Sequence, residues 1–231
     1  MKLCDLTLLT VSFNNNMITG LMIKSFFKQL HNETNVVIVD NGTYEAVDER
    51  MKSVFEVVDN FQHKLLPNYN QCSKNHCSAV DYVLKNIIKT KWVLLVDNDV
   101  FFKPTIKDLL LNFDETFDCM GEVGWDDAPP IRLFPYFCLI NVEKFRNEKL
   151  NYFDNDRCIG PGSKEIGKRG PGTPCWYKDT GCSFYEDIKD IWKIKEIKLD
   201  DFIVHNKTTG MRKMTIQDFI KNNLELHNET L

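Results

Sequence analysis

The stretch TKWVLLVDNDVFFKP, residues 90–104, decides how the rest of the chain is read. Trp92, Val93, Leu94, Leu95 and Val96 form an unbroken apolar run, which then gives way to two carboxylates, Asp97 and Asp99. A run of this kind, bounded by polar residues, predicts a strand buried on both faces. Carboxylates at the end of such a strand cost desolvation energy unless something positive meets them. In extended chain, residues two apart point the same way, so Asp97 and Asp99 are expected to share one side. Facing carboxylates repel unless a cation or a shared proton lies between them. Pro104 ends any continuation of the strand.

Two earlier segments have the same build, LTLLTVSFNNN (6–16) and NVVIVDNGT (35–43), and the short FEVVDN (55–60) reads as a further strand. Between them lie helical patterns. MITGLMIKSFFKQLH (17–31) places Ile18, Leu21, Met22, Phe26 and Leu30 near helical spacing. NHCSAVDYVLKNIIKT (75–90) carries a stripe of Val80, Val83, Leu84, Ile87 and Ile88. Strands alternating with helices predict an α/β fold, with a mixed, mostly parallel central sheet flanked by helices. Such sheets bind ligands outside the carboxyl ends of their strands. Ser12, Asn14, Asp40, Asp97 and Asp99 are therefore expected to gather on one rim and line a cleft.

The second half is less regular. IRLFPYFCLINVEKF (131–145) reads as a strand interrupted by Pro135, hence near a sheet edge, and then a short helix. GPGSKEIGKRGPGTP (160–174) holds five of the eleven glycines, three of the eight prolines and the cations Lys164, Lys168 and Arg169. It reads as a loop, either a connector or a lid over bound phosphates. GCSFYEDIKDIW (181–192) predicts a helix with Phe184, Ile188 and Ile191 on one face. Strands at WKIKEIKL (192–199) and DFIVHNK (201–207) are expected to follow, then a helix at TIQDFIKNNLEL (215–226) opened by Thr215 and Asp218.

Composition narrows the function. The 231 residues are 43% hydrophobic and 27% charged, the profile of a soluble globular protein with a substantial core. A net charge of −4 argues against a nucleic-acid binder. No apolar run approaches the ~20 residues that a membrane span needs. MKLCDLTLLTVSFNNN reads as a first strand rather than a signal peptide. The eight cysteines include no C-x-x-C pair, which favours reduced thiols over a zinc site.

Taken in order, VSFNN, VDNGT, SKNHCSAVDYVL, WVLLVDNDV and VHN resemble the nucleotide-sugar-dependent glycosyltransferases of the GT-A fold, close to family 2. The likeness runs from position 6 to about 225. It implies a single GT-A (Rossmann-like) domain over 1–231, with 1–103 binding the nucleotide-sugar and 104–231 the acceptor. Val11 and Ser12 would border the nucleotide. Asp40 would accept a hydrogen bond from the base, although Asp-Asn-Gly also favours a turn. Asn75 would face the nucleotide at a helix start, where free backbone N–H groups favour anions. The family usually has a small glycine after the following His76; here Cys77 stands in its place. For His76 a structural role is the alternative to ligand contact.

The same resemblance makes Asp97-Asn98-Asp99 the metal motif, with Asp97 and Asn98 also facing the donor, and His205 the residue completing the metal shell. The alternative for His205 is a strand-end histidine bonded to backbone. An imidazole ligand favours Mn²⁺ over Mg²⁺. For the catalytic base, Asp179 comes first and Glu186 second, with a plain N-cap and a solvated surface charge as their alternatives. Trp125, Asp126 and Asp127 are candidates for the acceptor side, or for a surface turn. The N-x-T triplets at Asn41 and Asn206 adjoin Asp40 and His205, where a glycan would block function, which favours a cytoplasmic location.

The expected activity is metal-dependent, inverting transfer of a sugar from a UDP- or GDP-sugar to a hydroxyl of a glycan, lipid or protein acceptor. The rivals are a sugar-nucleotide nucleotidyltransferase and an inactive nucleotide-sugar-binding protein of the same fold. The nucleotidyltransferase usually has a basic glycine-rich loop after its first strand; SFNNNMITG has no basic residue.

Overall fold

The computed structural model describes residues 1–30, 34–42, 46–59, 72–126, 128–152 and 180–205. Its strands are β1 (Leu6–Ser12), β2 (Asn35–Asp40), β3 (Glu56–Asp59), β4 (Trp92–Asp97), β5 (Val100–Phe102), β6 (Cys119–Asp126), β7 (Ala128–Asn141), β8 (Ile194–Glu196) and β9 (Ile203–His205). Its α-helices are α1 (Asn16–Leu30), α2 (Glu49–Lys52), α3 (Cys72–Asn86), α4 (Ile106–Leu111), α5 (Val142–Asn147) and α6 (Cys182–Ile188).

The apolar run of β4 is buried on both faces, as its sequence requires. Val93 and Leu95 join a core beneath α3, α5 and α6. Trp92, Leu94 and Val96 join a second core beneath α1 and α4. Seven strands form one sheet in the order β3-β2-β1-β4-β7-β6-β8. The pairs β1–β2, β1–β4, β2–β3 and β6–β8 are parallel; β4–β7 and β6–β7 are antiparallel. This is the mixed, mostly parallel sheet expected.

The site is positioned by the place of β1 in that order. From β1 the chain moves outward to β2 and β3, then returns to form β4 on the other side of β1. Such a reversal opens a crevice at the carboxyl ends of the strands. Register aligns those ends, with Ser12 beside Asp40 and Val11 beside Asp97. Between β1 and α1, Asn14 takes a positive φ of 50°, a conformation that asparagine tolerates better than most residues. The Asn15 side chain then accepts from the Ile18 N–H at 3.3 Å and supports the first turn of α1.

Three expectations need correction. β7 is not at an edge; it lies between β4 and β6. Its pairing with β4 reaches only to Phe137, opposite Val96, and its pairing with β6 shifts register between Gly121 and Val123. Pro135 sits in this irregularity, where the lack of an N–H costs little. The hairpin partner β6 adds a strand that its sequence does not announce, because CMGEVGWD has neither a continuous apolar run nor clean alternation. Finally, α6 ends at Ile188, and Ile191 is 59% exposed while Trp192 takes the buried position. The two strands that follow are shorter than their apolar stretches, at 194–196 and 203–205. The basic loop 160–174 and the expected helix 215–226 lie outside the described residues. Among those described, no helix is long and apolar enough to cross a membrane.

Candidate functional site

β4 ends at Asp97, and Asn98-Asp99 form a turn before β5 begins at Val100. Asp97 and Asp99 therefore converge through a turn and not through the pleat of one continuous strand. β5 pairs antiparallel with β9 in a separate ribbon, which sets His205 opposite Val100. One donor atom from each of Asp97, Asp99 and His205 lies within 4.8 Å of the others. His205 Nε2 approaches Asp99 Oδ1 at 3.3 Å, and Asp99 is only 3% exposed. Both ring nitrogens of His205 are buried and form no hydrogen bond among the described residues. An imidazole without such a bond, turned toward two carboxylates, is a donor set that fits a divalent cation. His76 of α3 brings Nε2 to 3.6 Å from Asp97 Oδ1, so this histidine also borders the site.

The turn that carries the carboxylates is anchored to α1. Asn98 Nδ2 donates to Thr19 Oγ1 at 3.2 Å, and Thr19 Oγ1 donates to the Asn15 carbonyl at 3.0 Å. Ser12 Oγ lies 3.0 Å from the same Thr19 oxygen. The single Thr19 proton is used on the carbonyl, so the Ser12 hydroxyl is the donor in that pair. Further along α1, Ser25 Oγ accepts from the Phe102 N–H at 3.3 Å and Phe26 packs edge-on against Phe102. The His205 ring stacks on Tyr136, with centroids 4.1 Å apart and planes at 20°. Burial pushes the Tyr136 phenol well above its ordinary range, reinforced by the Glu122 carboxylate.

By sequence, no family model and no curated protein matches the chain. By structure, the glycosyltransferase GlyE of Streptococcus pneumoniae TIGR4 is similar, with a TM-score of 0.56 at 11% identity over 96% of this chain and 62% of its own. The bifunctional glycosyltransferase WbbM gives a TM-score of 0.56 at 12% identity, over 96% of this chain and 51% of its own. The galactosyltransferase LgtC, solved with donor and acceptor sugar analogues, gives 0.46 at 15% identity over 61% of this chain and 59% of its own.

The fold is that of the GT-A glycosyltransferases. The chain spans less than two thirds of each of these three proteins.

Within this GT-A fold the expected site residues fall into three groups. Asp97, Asn98, Asp99 and His205 come together, with Val11 and Ser12 on the neighbouring strand. Asp40 lies level with Ser12, but both its oxygens are engaged: Oδ1 accepts from the Gly42 N–H at 3.0 Å and Oδ2 from the Val47 N–H at 2.8 Å. It thus holds the turn that its sequence favours. Asn75 lies in the first turn of α3, Glu186 on α6, and Trp125 and Asp126 at the end of β6. Asp127 and Asp179 lie outside the described residues. Sequence reasoning passed over Thr19 and Tyr136. A hydroxyl on the apolar face of α1, close to the end of β1, was the available signal for Thr19; nothing in the local sequence marked Tyr136.

Proposed function

We propose that this protein is a metal-dependent glycosyltransferase that moves a sugar from a UDP- or GDP-sugar to an acceptor hydroxyl, with inversion. The observation that carries the reading is the convergence of Asp97, Asp99 and His205 within 4.8 Å at the carboxyl end of β4, beside the switch in strand order. These three residues would hold a divalent cation, with the imidazole favouring Mn²⁺ over Mg²⁺. When bound, such a cation offsets the charge of a nucleoside diphosphate, including the charge that develops as it leaves.

The chain's own residues supply the rest. Residues 1–103 take the donor, with Val11, Ser12, Asn75 and Asn98 bordering it and Asp40 meeting the base through the lone pairs its turn leaves over. Residues 104–231 take a glycan, lipid or protein acceptor and contribute His205. A carboxylate, Asp179 or else Glu186 of α6, accepts the proton of the acceptor hydroxyl. The hydroxyl oxygen forms its bond to the anomeric carbon while the bond from that carbon to the diphosphate oxygen breaks. The electron pair of the broken bond leaves with the nucleoside diphosphate.

Calorimetry with UDP and GDP, with and without Mn²⁺, tests this. Binding that requires Mn²⁺ and disappears in Asp99→Ala supports it. Equal binding in excess EDTA, or no binding of either nucleotide, overturns it. Proton NMR of the first-formed product separates inversion from retention.

A further inference from the structure

Arg132, Phe134 and Tyr136 lie two residues apart along β7, in and beside its register shift, and their side chains meet. The Arg132 guanidinium carbon lies 5.4 Å from the centre of the Phe134 ring. Phe134 stacks on Tyr136, with centroids 5.0 Å apart and planes at 21°. Tyr136 in turn stacks on His205 at 4.1 Å and 20°. A continuous column of flat groups thus runs down β7 and ends on the histidine that faces Asp99.

His205 needs such support. It is the last residue of a three-residue strand. The torsion that sets the plane of an imidazole has a broad minimum, so the backbone alone leaves the ring orientation loose. Metal-binding histidines are commonly oriented by a hydrogen bond from the second ring nitrogen to a carboxylate or carbonyl. Neither ring nitrogen of His205 makes a hydrogen bond among the described residues. The face of Tyr136 lies against the imidazole, itself backed by the buried Phe134 ring.

We infer that Tyr136 is a positioning residue, whose ring holds the His205 imidazole in the plane that presents Nε2 to Asp99. The inference rests on the metal reading above only for its consequence, not for the stack itself. The ring is what matters and the phenol oxygen is not, so phenylalanine replaces Tyr136 without loss and an aliphatic residue does not. Loosening the imidazole weakens Mn²⁺ binding about tenfold, the scale seen when groups that orient a ligand are removed.

Two measurements on the full chain test this. In metal-free protein, the ring C–H signals of His205, assigned with His205→Ala, should be displaced upfield by the stacked ring in the parent and in Tyr136→Phe. They should return toward ordinary values in Tyr136→Leu, or in Tyr136→Met if the leucine variant does not fold. In Mn²⁺ titrations, Tyr136→Leu should bind about tenfold more weakly, Tyr136→Phe like the parent, and Tyr136→Leu should add nothing in a His205→Ala background. Undisplaced His205 signals in the parent overturn the inference. So does an equal loss of Mn²⁺ affinity with and without His205, which would mark a general effect on the fold. A parent that binds no Mn²⁺ overturns the metal reading instead, and the NMR signals then decide the stack alone.

Discussion

Thr19 Oγ1 is the acceptor for Asn98 Nδ2 at 3.2 Å, which ties the first turn of α1 to the turn between Asp97 and Asp99. The same oxygen takes the Ser12 hydroxyl, so one buried side chain joins the end of β1, the start of α1 and the carboxylate turn. Thr19→Val keeps the shape but leaves the buried Ser12 hydroxyl and the Asn98 amide without this acceptor. The expected cost is about 1–3 kcal/mol in urea unfolding, because a buried polar group loses its partner. Mn²⁺ affinity should fall with it, since the turn is released. Thr19→Ser should recover most of both. A valine variant as stable as the parent would show that the hydroxyl organises nothing.

Asp40 holds two backbone amides, those of Gly42 and Val47, and is also the residue proposed to meet the nucleotide base. Asp40→Ala should therefore lower stability by about 1–3 kcal/mol, as two charge-assisted hydrogen bonds are lost at a partly exposed site. If Asp40 also contacts the base, affinity for UDP or GDP should fall under conditions where the variant is fully folded. Destabilisation with unchanged nucleotide affinity would leave Asp40 with the turn alone.

Much of the strand-end rim was legible because it depends on short-range rules. The apolar runs of β1, β2 and β4 and the stripes of α1 and α3 specify a parallel sheet, and register then brings Ser12, Asp40 and Asp97 to one rim. His205 was legible only through its place in an ordered series of motifs. Its approach to Asp99 depends on the β5–β9 pairing, a contact about a hundred residues apart in sequence. The interior place of β7 was hidden because Pro135 argues for an edge until the bulge opposite Gly121 and Val123 is known. The Tyr136 stack follows from that same placement, so it was hidden for the same reason.

Asp99→Ala separates metal binding from folding. Asp97 and Asp99 place carboxylate oxygens within 4.8 Å, and without a cation they repel. Removing one of them should abolish Mn²⁺ binding while the melting temperature in EDTA stays level or rises. A melting temperature that falls sharply in EDTA would mean that Asp99 serves the fold, through its approach to His205 or another contact.

Tyr152 is buried, and burial pushes its phenol well above 10.0; Cys138, Cys77 and Asp97 reinforce the shift while Arg132 opposes it. The folded chain then holds the phenolic proton more tightly than the unfolded chain. Stability is complete below the unfolded value near pH 10 and is lost as pH rises beyond it. Tyr136 and Tyr185 are shifted in the same direction and add to the slope. Urea midpoints between about pH 8 and 11 should fall more gently in Tyr152→Phe than in the parent. Parallel curves would show that the alkaline loss arises elsewhere.

Gly181 caps the start of α6 with a φ of +86°, and a Cβ there would lie 2.4 Å from the Leu133 carbonyl oxygen. Both facts exclude a side chain: the torsion is one that L-residues rarely adopt, and the obstacle is backbone and cannot rotate away. Gly181→Ala must therefore push α6 off β7, where the Arg132 guanidinium also donates to the Thr180 carbonyl at 3.3 Å. The expected loss is roughly 1–3 kcal/mol or more in urea unfolding. Glu186 rides on α6 and Asp179 precedes it, so transfer should fall in kcat more than in nucleotide affinity if either supplies the base. Gly20 is the control. It lies inside α1, and a methyl group there would meet nothing within 4 Å, so Gly20→Ala should stabilise the chain by roughly 0.5–1 kcal/mol. Equal effects of the two substitutions would mean that the α6 cap bears no strain.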